Sequence, residues 1–309
     1  MDELRTLAGQ SVLVTGGTGF VGLHVLRQGR DAGIRLWNFG SRVGDVDGVT
    51  YLTGDLRDAD AVRRAVETAN PVMVLHLATL GGTYGSARFA DMVAANITGF
   101  DSLLRAARMM ATPPHVIATG SALEYADQSA PLTESSPLGP SNEYSITKAA
   151  AALLASYYAR GMRLTLLRLF NVYGPGEPAG RLLPQVVSTV REGKPVELTH
   201  LESRRDFVYV SDAAEAVWRS ALRPASSGVL RTLNVGTGQG ISFRQYIEAA
   251  AEILRSHGYE PAIRFGAKPS RPGEAMNVVA DVTRLREALG WVPATPLRDG
   301  LRRTIESSL

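Results

Sequence analysis

A glycine-rich segment near the start of the chain constrains the fold more than any other feature. The segment GGTGFVG, residues 16–22, follows the short β-branched run 11–14 and precedes residues of helical character at 20–27. Glycine is needed where a chain turns tightly, approaches a pyrophosphate and packs a helix against a strand. The spacing is GxxGxxG rather than the common GxGxxG, and a plain tight turn is the simpler interpretation. The strand before the segment and the helix after it favour a dinucleotide-binding loop.

Strand-like and helix-like segments then alternate through the first half of the chain. Predicted strands occupy 34–39, 49–52, 72–77, 116–119 and 164–169, and predicted helices occupy 58–68, about 86–110 and 144–158. The nearly continuous apolar run 72–77 is typical of a central parallel strand buried on both faces. Repeated βα units of this kind predict an α/β fold with a Rossmann-type doubly wound parallel sheet.

The regular alternation of predicted strands and helices ends after Phe170. Residues 171–180 form a loop rich in proline and glycine. Helices are predicted near 182–191, 212–221, 243–254 and 282–289, and short strands at 196–199 and 207–210. We expect a dinucleotide-binding domain at 1–171, with 205–236 returning to it. Residues 172–204 and 237–309 would then form a smaller mixed α/β C-terminal part that binds substrate.

Composition excludes several classes of function. The 309 residues carry a formal net charge of +3 without long runs of like charge, so we expect no nucleic-acid partner. The absence of cysteine excludes disulfides and thiolate chemistry, and the five histidines show no metal-ligand spacing, so no metal is expected. Apolar runs too short for a bilayer and a start without a signal peptide predict a cytoplasmic protein with no membrane partner.

The end of the second predicted strand bears on which dinucleotide is bound. Enzymes that use NAD usually have an acid there to accept hydrogen bonds from the ribose hydroxyls. Here residues 37–42 read WNFGSR. Gly40 leaves room, Ser41 offers a hydroxyl and Arg42 offers a planar cation suited to a phosphate. These residues favour NADP, in its reduced form NADPH, while NAD stays possible if Arg42 is simply a solvated loop residue.

Tyr144 and Lys148 stand four residues apart at the start of a predicted helix, so both side chains point to one face. A tyrosine of ordinary pKa, about 10, is a poor acid or base at neutral pH, but a neighbouring ammonium lowers that pKa. Only three of the 33 basic residues are lysines, which makes a chance Tyr-xxx-Lys pair improbable. Ser121 follows a strand at the carboxyl edge of the predicted sheet, where its hydroxyl can hold a substrate oxygen. The plainer interpretations are a surface lysine beside a packed tyrosine, and a serine that caps a turn.

These residues, together with Asn96, resemble an extended short-chain dehydrogenase/reductase of the sugar-nucleotide epimerase/dehydratase branch. Further matches lie at 168–175 (RLFNVYGP), 205–210 (RDFVYV), 234–236 (NVG) and 271–274 (RPGE), so the resemblance covers the chain from residue 11 to about 295. It implies a substrate that is a nucleoside-diphosphate (NDP) sugar. It also implies that Asn171, Arg205 and Arg271 reach the diphosphate; the plainer interpretation is ordinary loop capping and surface ion pairing. Members of the family are commonly homodimers formed through two helices of each subunit.

The predicted site residues fall into three groups. The catalytic residues are Ser121, Tyr144 and Lys148. The substrate-binding residues are Asn171, Arg205 and Arg271. The cofactor-binding residues are Gly16, Thr18, Gly19, Phe20, Val21, Gly22, Ser41, Arg42, Asp55, Leu56, Leu77, Ala78, Asn96, Tyr144 and Lys148.

Two short stretches of sequence reduce the number of reactions that we expect of this chain. Members that resemble 4,6-dehydratases place an Asp-Glu pair directly after the catalytic hydroxyl, whereas this chain has Ala122 and Leu123. Residues 120–125, GSALEY, resemble the GSxxEYG stretch of 4-keto-6-deoxyhexose reductases, with Ala126 in place of the last glycine. We therefore expect NADPH-dependent reduction of the 4-keto group of an NDP-4-keto-6-deoxyhexose, in deoxysugar biosynthesis. An NAD-dependent NDP-sugar 4-epimerase and a non-enzymatic NADP sensor or scaffold are the alternatives, and Glu124 is either part of the motif or a solvent-facing residue.

Overall fold

The computed structural model describes residues 2–83, 85, 87–269 and 275–309. Its strands are β1 Ser11–Thr15, β2 Arg35–Gly40, β3 Val49–Thr53, β4 Met73–His76, β5 His115–Ser121, β6 Leu164–Leu169, β7 Asn171–Tyr173, β8 Val196–Glu197, β9 Arg204–Tyr209, β10 Arg231–Val235, β11 Gly240–Ser242, β12 Ile263–Arg264 and β13 Asn277–Val278. Its helices are α1 Phe20–Asp31, α2 Ala59–Ala69, α3 Phe89–Val93, α4 Gly99–Arg108, α5 Glu143–Tyr158, α6 Leu182–Arg191, α7 Val210–Leu222, α8 Phe243–Ser256, α9 Thr283–Leu289 and α10 Leu297–Glu306.

A seven-stranded parallel sheet forms the centre of the molecule, in the order β10-β6-β5-β4-β1-β2-β3. All five residues of β1 are buried, as expected of a strand covered on both faces. The chain leaves β1 toward β2 on one side and returns to β4 on the other. This reversal creates a crevice at the carboxyl ends of β1 and β4, where doubly wound folds bind ligands. The predicted Rossmann-type sheet is confirmed.

Helices cover both faces of this sheet. On one face α1 packs against α7, and on the other α2 packs against α4, with α5 beside it. Alternate residues of β1 serve the two layers, because Val12 and Val14 join the first apolar core and Leu13 joins the second. Packing against both helical layers therefore fixes the direction in which β1 enters the crevice.

The helix predicted over about 86–110 is not regular. A π-helical segment, Ala94–Thr98, joins α3 to α4. Such segments redirect side chains and are frequent at functional sites. Here the segment contains Asn96, which is 3% exposed and points toward the crevice. A π-helix has one more residue in each hydrogen-bonded turn than an α-helix, and the spacing of the apolar residues could not reveal this difference.

The second half of the chain builds a smaller mixed sheet beside the carboxyl ends of β5 and β6. In it β9 pairs in parallel with β7 and β13 and antiparallel with β11. We predicted that 205–236 returns to the main domain. Helix α7 and strand β10 do pack with the main sheet, but β9 belongs to the smaller one. Strand β8 lies within the strand predicted at 196–199, whereas helix α10 and the strands β7, β10, β11, β12 and β13 were not predicted. Within the described residues, none of the helices has the length and apolar character needed to cross a membrane.

Candidate functional site

The glycine loop leaves β1 and enters α1 in a conformation that other residues would disrupt. Gly16 has φ +75°, and a Cβ there would lie 2.5 Å from the backbone nitrogen of Ala78. A Cβ on Gly22 would lie 2.1 Å from the carbonyl oxygen of Gly16. The loop and the first turn of the helix therefore pack backbone to backbone. Its position at the N-terminus of α1 provides free amide donors for an anion.

Asn38 holds this loop in place, a role that sequence reasoning missed. Its side-chain Oδ1 accepts a hydrogen bond from the Gly17 N–H at 2.8 Å. Asn38 is 1% exposed and lies on β2, next to β1 in the sheet. A buried amide on a strand that otherwise reads as apolar was the available signal.

A cavity of about 1300 Å³ runs along the carboxyl edge of the sheet from β2 to α5. Every predicted cofactor-binding residue lines it, as do Ser121 and Asn171. At its β2 end, a Cβ on Gly40 would meet no heavy atom within 4 Å. Arg42 is exposed there and makes no ion pair with any of the described residues. Asp55, by contrast, is held by Arg57 at 2.5 Å, and this pairing lowers the pKa of the Asp55 carboxyl.

Helix α5 carries Tyr144 and Lys148 on the face that borders the cavity. Asn142 caps the helix by accepting a hydrogen bond from the Ser145 N–H, so Tyr144 lies in the first turn. Lys148 is 5% exposed, and its Nζ donates to the Thr119 carbonyl oxygen on β5 at 2.5 Å. Burial lowers the pKa of Lys148 to about 8, and the nearby negative charge of Glu124 opposes that decrease.

The protonation of Tyr144 is controlled differently from our expectation. Burial raises the pKa of its phenol, hydrogen bonding with Thr79 opposes this increase, and the charge of Glu124 raises the pKa further. Arg181 and the Ser121 side chain lower it again by smaller amounts. We had assigned the lowering to Lys148, and Thr79 and Arg181 were missed. The net result is a phenol that keeps its proton at neutral pH and can donate it.

Ser121 ends β5 and begins a short 3-10 turn, Ala122–Glu124. Its Oγ accepts a hydrogen bond from the Leu123 N–H at 3.2 Å. With an acceptor position of the oxygen thus used, the hydroxyl proton remains available for an acceptor in the cavity. Ser121 caps the turn, as the plainer interpretation expected, and also lies beside Tyr144.

Glu124 does not face solvent, so that interpretation was wrong. Its side chain is fully buried, and Oε1 accepts a hydrogen bond from the Ser121 N–H at 2.7 Å. Oε2 accepts one from Arg168 Nε, also at 2.7 Å. The partner arginine is itself nearly buried, and its Nη1 donates to the Tyr125 hydroxyl at 2.8 Å. Glu124 thus belongs to a buried charged network directly behind Ser121.

Asn96 ties three parts of the crevice together. Its Oδ1 accepts a hydrogen bond from the Leu80 N–H at 2.8 Å, and its Nδ2 donates to the Leu80 carbonyl oxygen at 3.0 Å. Nδ2 also donates to Thr147 Oγ1 on α5 at 2.9 Å. The amide therefore holds the loop after β4 against the helix that carries Tyr144 and Lys148.

The residues predicted to bind substrate are not all found at the cavities. Asn171 lines both the long cavity and an adjoining cavity of about 270 Å³. Arg205, on β9, lines neither cavity among the described residues; its guanidinium lies over the Phe243 ring, 5.3 Å from the centroid. Arg271 lies outside the described residues.

Arg181 and Glu177 border the smaller cavity and were not predicted. The Nη1 of Arg181 donates to the Val172 carbonyl oxygen at 2.8 Å, and its Nε lies 3.3 Å from Glu177 Oε1. Glu177 Oε2 is buried without a hydrogen-bond partner among the described residues. Burial raises the pKa of this carboxyl to about 7, against the opposing charge of Arg181. Arg181 thus gives the smaller cavity a cation, next to a buried carboxyl that partly balances its charge.

The fold and the site together define a class of protein. A glycine loop at the N-terminus of α1, a long cavity at the switch point of the sheet, and a tyrosine beside a lysine and a serine suit hydride transfer between a dinucleotide and an alcohol or ketone. Comparison with known proteins agrees. The model of the NAD dependent epimerase/dehydratase family matches residues 12–236, and the chain belongs to that family. It is accordingly an enzyme of the oxidoreductase type.

Individual relatives cover almost the whole chain. The UDP-glucose 4-epimerase of Azospirillum brasilense is 29% identical over 326 residues, which span 97% of this chain and 92% of the relative. The dTDP-4-dehydro-6-deoxy-D-allose reductase of Streptomyces bikiniensis is 28% identical, with 96% of this chain and 95% of the relative covered. Among solved structures, MoeE5 in complex with UDP-glucuronic acid and NAD has a TM-score of 0.86 and 28% identity, with 96% and 98% of the two chains covered.

Proposed function

We propose that this enzyme reduces the 4-keto group of an NDP-4-keto-6-deoxyhexose with NADPH, in deoxysugar biosynthesis. The observation that carries the proposal is the end of β2, where a Cβ on Gly40 would meet no neighbour and residues 35–42 contain no acid. A reductase consumes reduced cofactor in every turnover, and NADPH is the usual cellular source, which we expect the enzyme to meet in the cytoplasm. The reductase relative from Streptomyces bikiniensis supports the same reaction class.

The residues along the long cavity fit a dinucleotide. The close backbone packing at Gly16 and Gly22 leaves amide donors for a pyrophosphate at the start of α1. Arg42, unpaired among the described residues, suits a 2′-phosphate, whereas the ion pair with Arg57 reduces the repulsion that Asp55 would exert on that phosphate. NADPH, when bound, supplies the hydride.

The chain's own residues supply the proton and orient the substrate. Tyr144, whose phenol stays protonated because burial raises its pKa, donates that proton to the oxygen at carbon four. Ser121 donates a hydrogen bond to the same oxygen, and Lys148 holds the cofactor ribose. The Thr119 carbonyl keeps the lysine ammonium in place. Asn171 and Arg181 would bind the diphosphate, together with Arg205 and Arg271, to which the family resemblance assigns the same role.

The second candidate is an NAD-dependent NDP-sugar 4-epimerase. It is favoured by the epimerase from Azospirillum brasilense and by the NAD in the MoeE5 complex. The same tyrosine, serine and lysine serve both reactions, since an epimerase removes a hydride and returns it to the other face. The difference lies in whether the cofactor leaves after each turnover.

One assay separates the two candidates. Purified enzyme is given NADPH or NADH with an NDP-4-keto-6-deoxyglucose, and oxidation of the nicotinamide is followed. Stoichiometric oxidation with a preference for NADPH is the expected result. Interconversion of NDP-hexoses without added cofactor, together with NAD released from the denatured protein, would select the epimerase instead.

We also propose that the enzyme is a homodimer in which α5 packs against its copy. Ile146, Leu153 and Tyr157 are 44%, 67% and 58% exposed and lie along one side of this helix. Their spacing of seven and four residues keeps them in a single stripe. A contiguous apolar stripe on a helix is unfavourable in water unless another surface covers it.

A further inference from the structure

Beneath the proposed catalytic residues lies a buried pair of opposite charges that the reaction itself does not use. Glu124 is fully buried, and Arg168 has a side chain 7% exposed. Burial of such a pair is costly, and apolar residues of similar size often serve stability as well. Stability therefore does not explain why a charged pair is buried beside Ser121, and a role in the reaction is the alternative explanation.

The contacts of Glu124 lead directly to Ser121. Glu124 Oε1 accepts the Ser121 N–H, while Ser121 Oγ accepts the Leu123 N–H, so the two residues cap the turn reciprocally. Gly120 makes room for this arrangement, because a Cβ there would lie 2.6 Å from Glu124 Oε1. The carboxylate thus fixes the backbone from which the serine hydroxyl enters the cavity.

The charge of Glu124 also reaches the two residues on α5. It favours the protonated forms of both Lys148 and Tyr144. The other charged or titratable groups facing this pair within the described residues are His76 on β4 and Arg181 at the start of α6. His76 is neutral, because burial lowers its pKa to about 3, and Arg181 acts in the opposite direction.

We propose that Glu124, held by Arg168, is a positioning residue of the reaction. It directs the Ser121 hydroxyl and places a buried negative charge behind Tyr144 and Lys148. This inference rests on the roles proposed above for those residues, but it is independent of the choice between reductase and epimerase.

The test is the pH profile of kcat/KM for reduction by Glu124→Gln. This change keeps the shape of the side chain, removes its charge and leaves the Arg168 cation uncompensated. The alkaline limb should move to lower pH by about one unit, because both α5 residues then lose their protons more easily. Arg168→Met should also move the limb to lower pH, because burial raises the pKa of the Glu124 carboxyl, which takes up a proton once its cation is gone, and the double variant should match Glu124→Gln.

Glu134→Gln is the matched control. Glu134 belongs to the same buried region, where its Oε1 accepts a hydrogen bond from the Asn234 N–H, but it does not contact Ser121. The Glu134→Gln variant removes an equal charge and should leave the alkaline limb of the pH profile at its wild-type position. A lower kcat with an unmoved limb in Glu124→Gln would overturn the proposal, since a purely structural role predicts that result. If that variant does not fold, the shift to lower pH in Arg168→Met decides, and an unmoved limb there is equally contrary.

A readout without turnover separates this inference from the proposed function. The chain has three lysines, Lys148, Lys194 and Lys268, so protein labelled with ¹³C at lysine Cε gives three assignable signals, with Lys148→Arg identifying one. The Lys148 signal should titrate at lower pH in Glu124→Gln than in wild type. An unchanged titration refutes the role of Glu124. If the Lys148 titration shifts in Glu124→Gln but the wild-type enzyme does not oxidise NADPH, the proposed reaction is refuted and the role of Glu124 is not.

Discussion

The change that best tests the proposed cofactor preference is Gly40→Asp, at the carboxyl end of β2. An aspartate fits there without displacing a neighbour, since a Cβ on Gly40 meets no heavy atom within 4 Å and its φ is not positive. Its carboxylate would enter the cavity next to Ser41 and Arg42. In that place an acid accepts hydrogen bonds from ribose hydroxyls and repels a 2′-phosphate.

The size of the effect follows from Coulomb's law. A carboxylate about 5 Å from a phosphate dianion, at an effective dielectric constant of about 40 to 80 for this exposed strand end, costs about 2 to 3 kcal/mol. Since about 1.4 kcal/mol corresponds to a tenfold change, kcat/KM for NADPH should fall by about 30- to 150-fold. The value for NADH should stay the same or rise.

The assay compares kcat/KM for the two cofactors at one ionic strength, with a keto-sugar nucleotide held at constant concentration. A fluorescence titration of each cofactor gives binding without turnover. Gly161→Asp is the matched control, because a Cβ there also meets nothing within 4 Å and the residue lies before β6, at the opposite edge of the sheet. If folded Gly40→Asp keeps the wild-type ratio of NADPH to NADH, the reasoning about this strand end is refuted.

Three further predictions concern the proton donor, the subunit contact and a buried acid. Tyr144→Phe removes the phenolic proton, so kcat should fall by about 100-fold or more while titrated cofactor affinity is retained; kcat within a few-fold of wild type would exclude Tyr144 as the donor. Leu153→Asp puts a charge into the apolar stripe of α5 and should give a folded monomer by light scattering, whereas a persistent dimer would place the contact elsewhere. Burial raises the pKa of Glu177 from 4.5 to about 7, so the stability contributed by its bound proton is complete below pH 4.5 and lost as the pH rises through 7. Glu177→Gln should therefore gain about 2 to 3 kcal/mol relative to wild type between pH 5 and pH 8, and an equal difference in the free energy of unfolding at both pH values would contradict this.

The parts of the molecule that were predictable from sequence are those specified locally. The glycine loop is specified by its own backbone geometry, and the strand observed at Met73–His76 lies within the predicted run 72–77 because burial on both faces leaves a continuous apolar signature. The stretch around β9 was placed with the main sheet, because pairing partners such as β7 and β13 lie far away in sequence. No local pattern encodes such a pairing.

The candidate site shows the same division. Tyr144 and Lys148 could be paired by their spacing on one helix, since four residues bring two side chains to one face. The environment of Glu124 could not be inferred, because the Arg168 that buries it comes from a strand 44 residues later. Thr79 and Arg181 were missed for a similar reason: each reaches Tyr144 from a separate loop or helix start.

The 3-10 turn after β5 limits which reaction this site can perform. Its carboxylate, Glu124, is committed to a backbone N–H and to Arg168, so it is not free to act on a substrate. The two positions before it carry Ala122, which is packed into the first apolar core, and Leu123, and neither can transfer a proton. Elimination of water needs an acid and a base at the sugar, whereas hydride transfer needs one proton at one oxygen, which Tyr144 can supply. The turn therefore supports the proposal of reduction or epimerisation rather than dehydration, and the end of β2 supports the proposed use of a cofactor that is exchanged at each turnover.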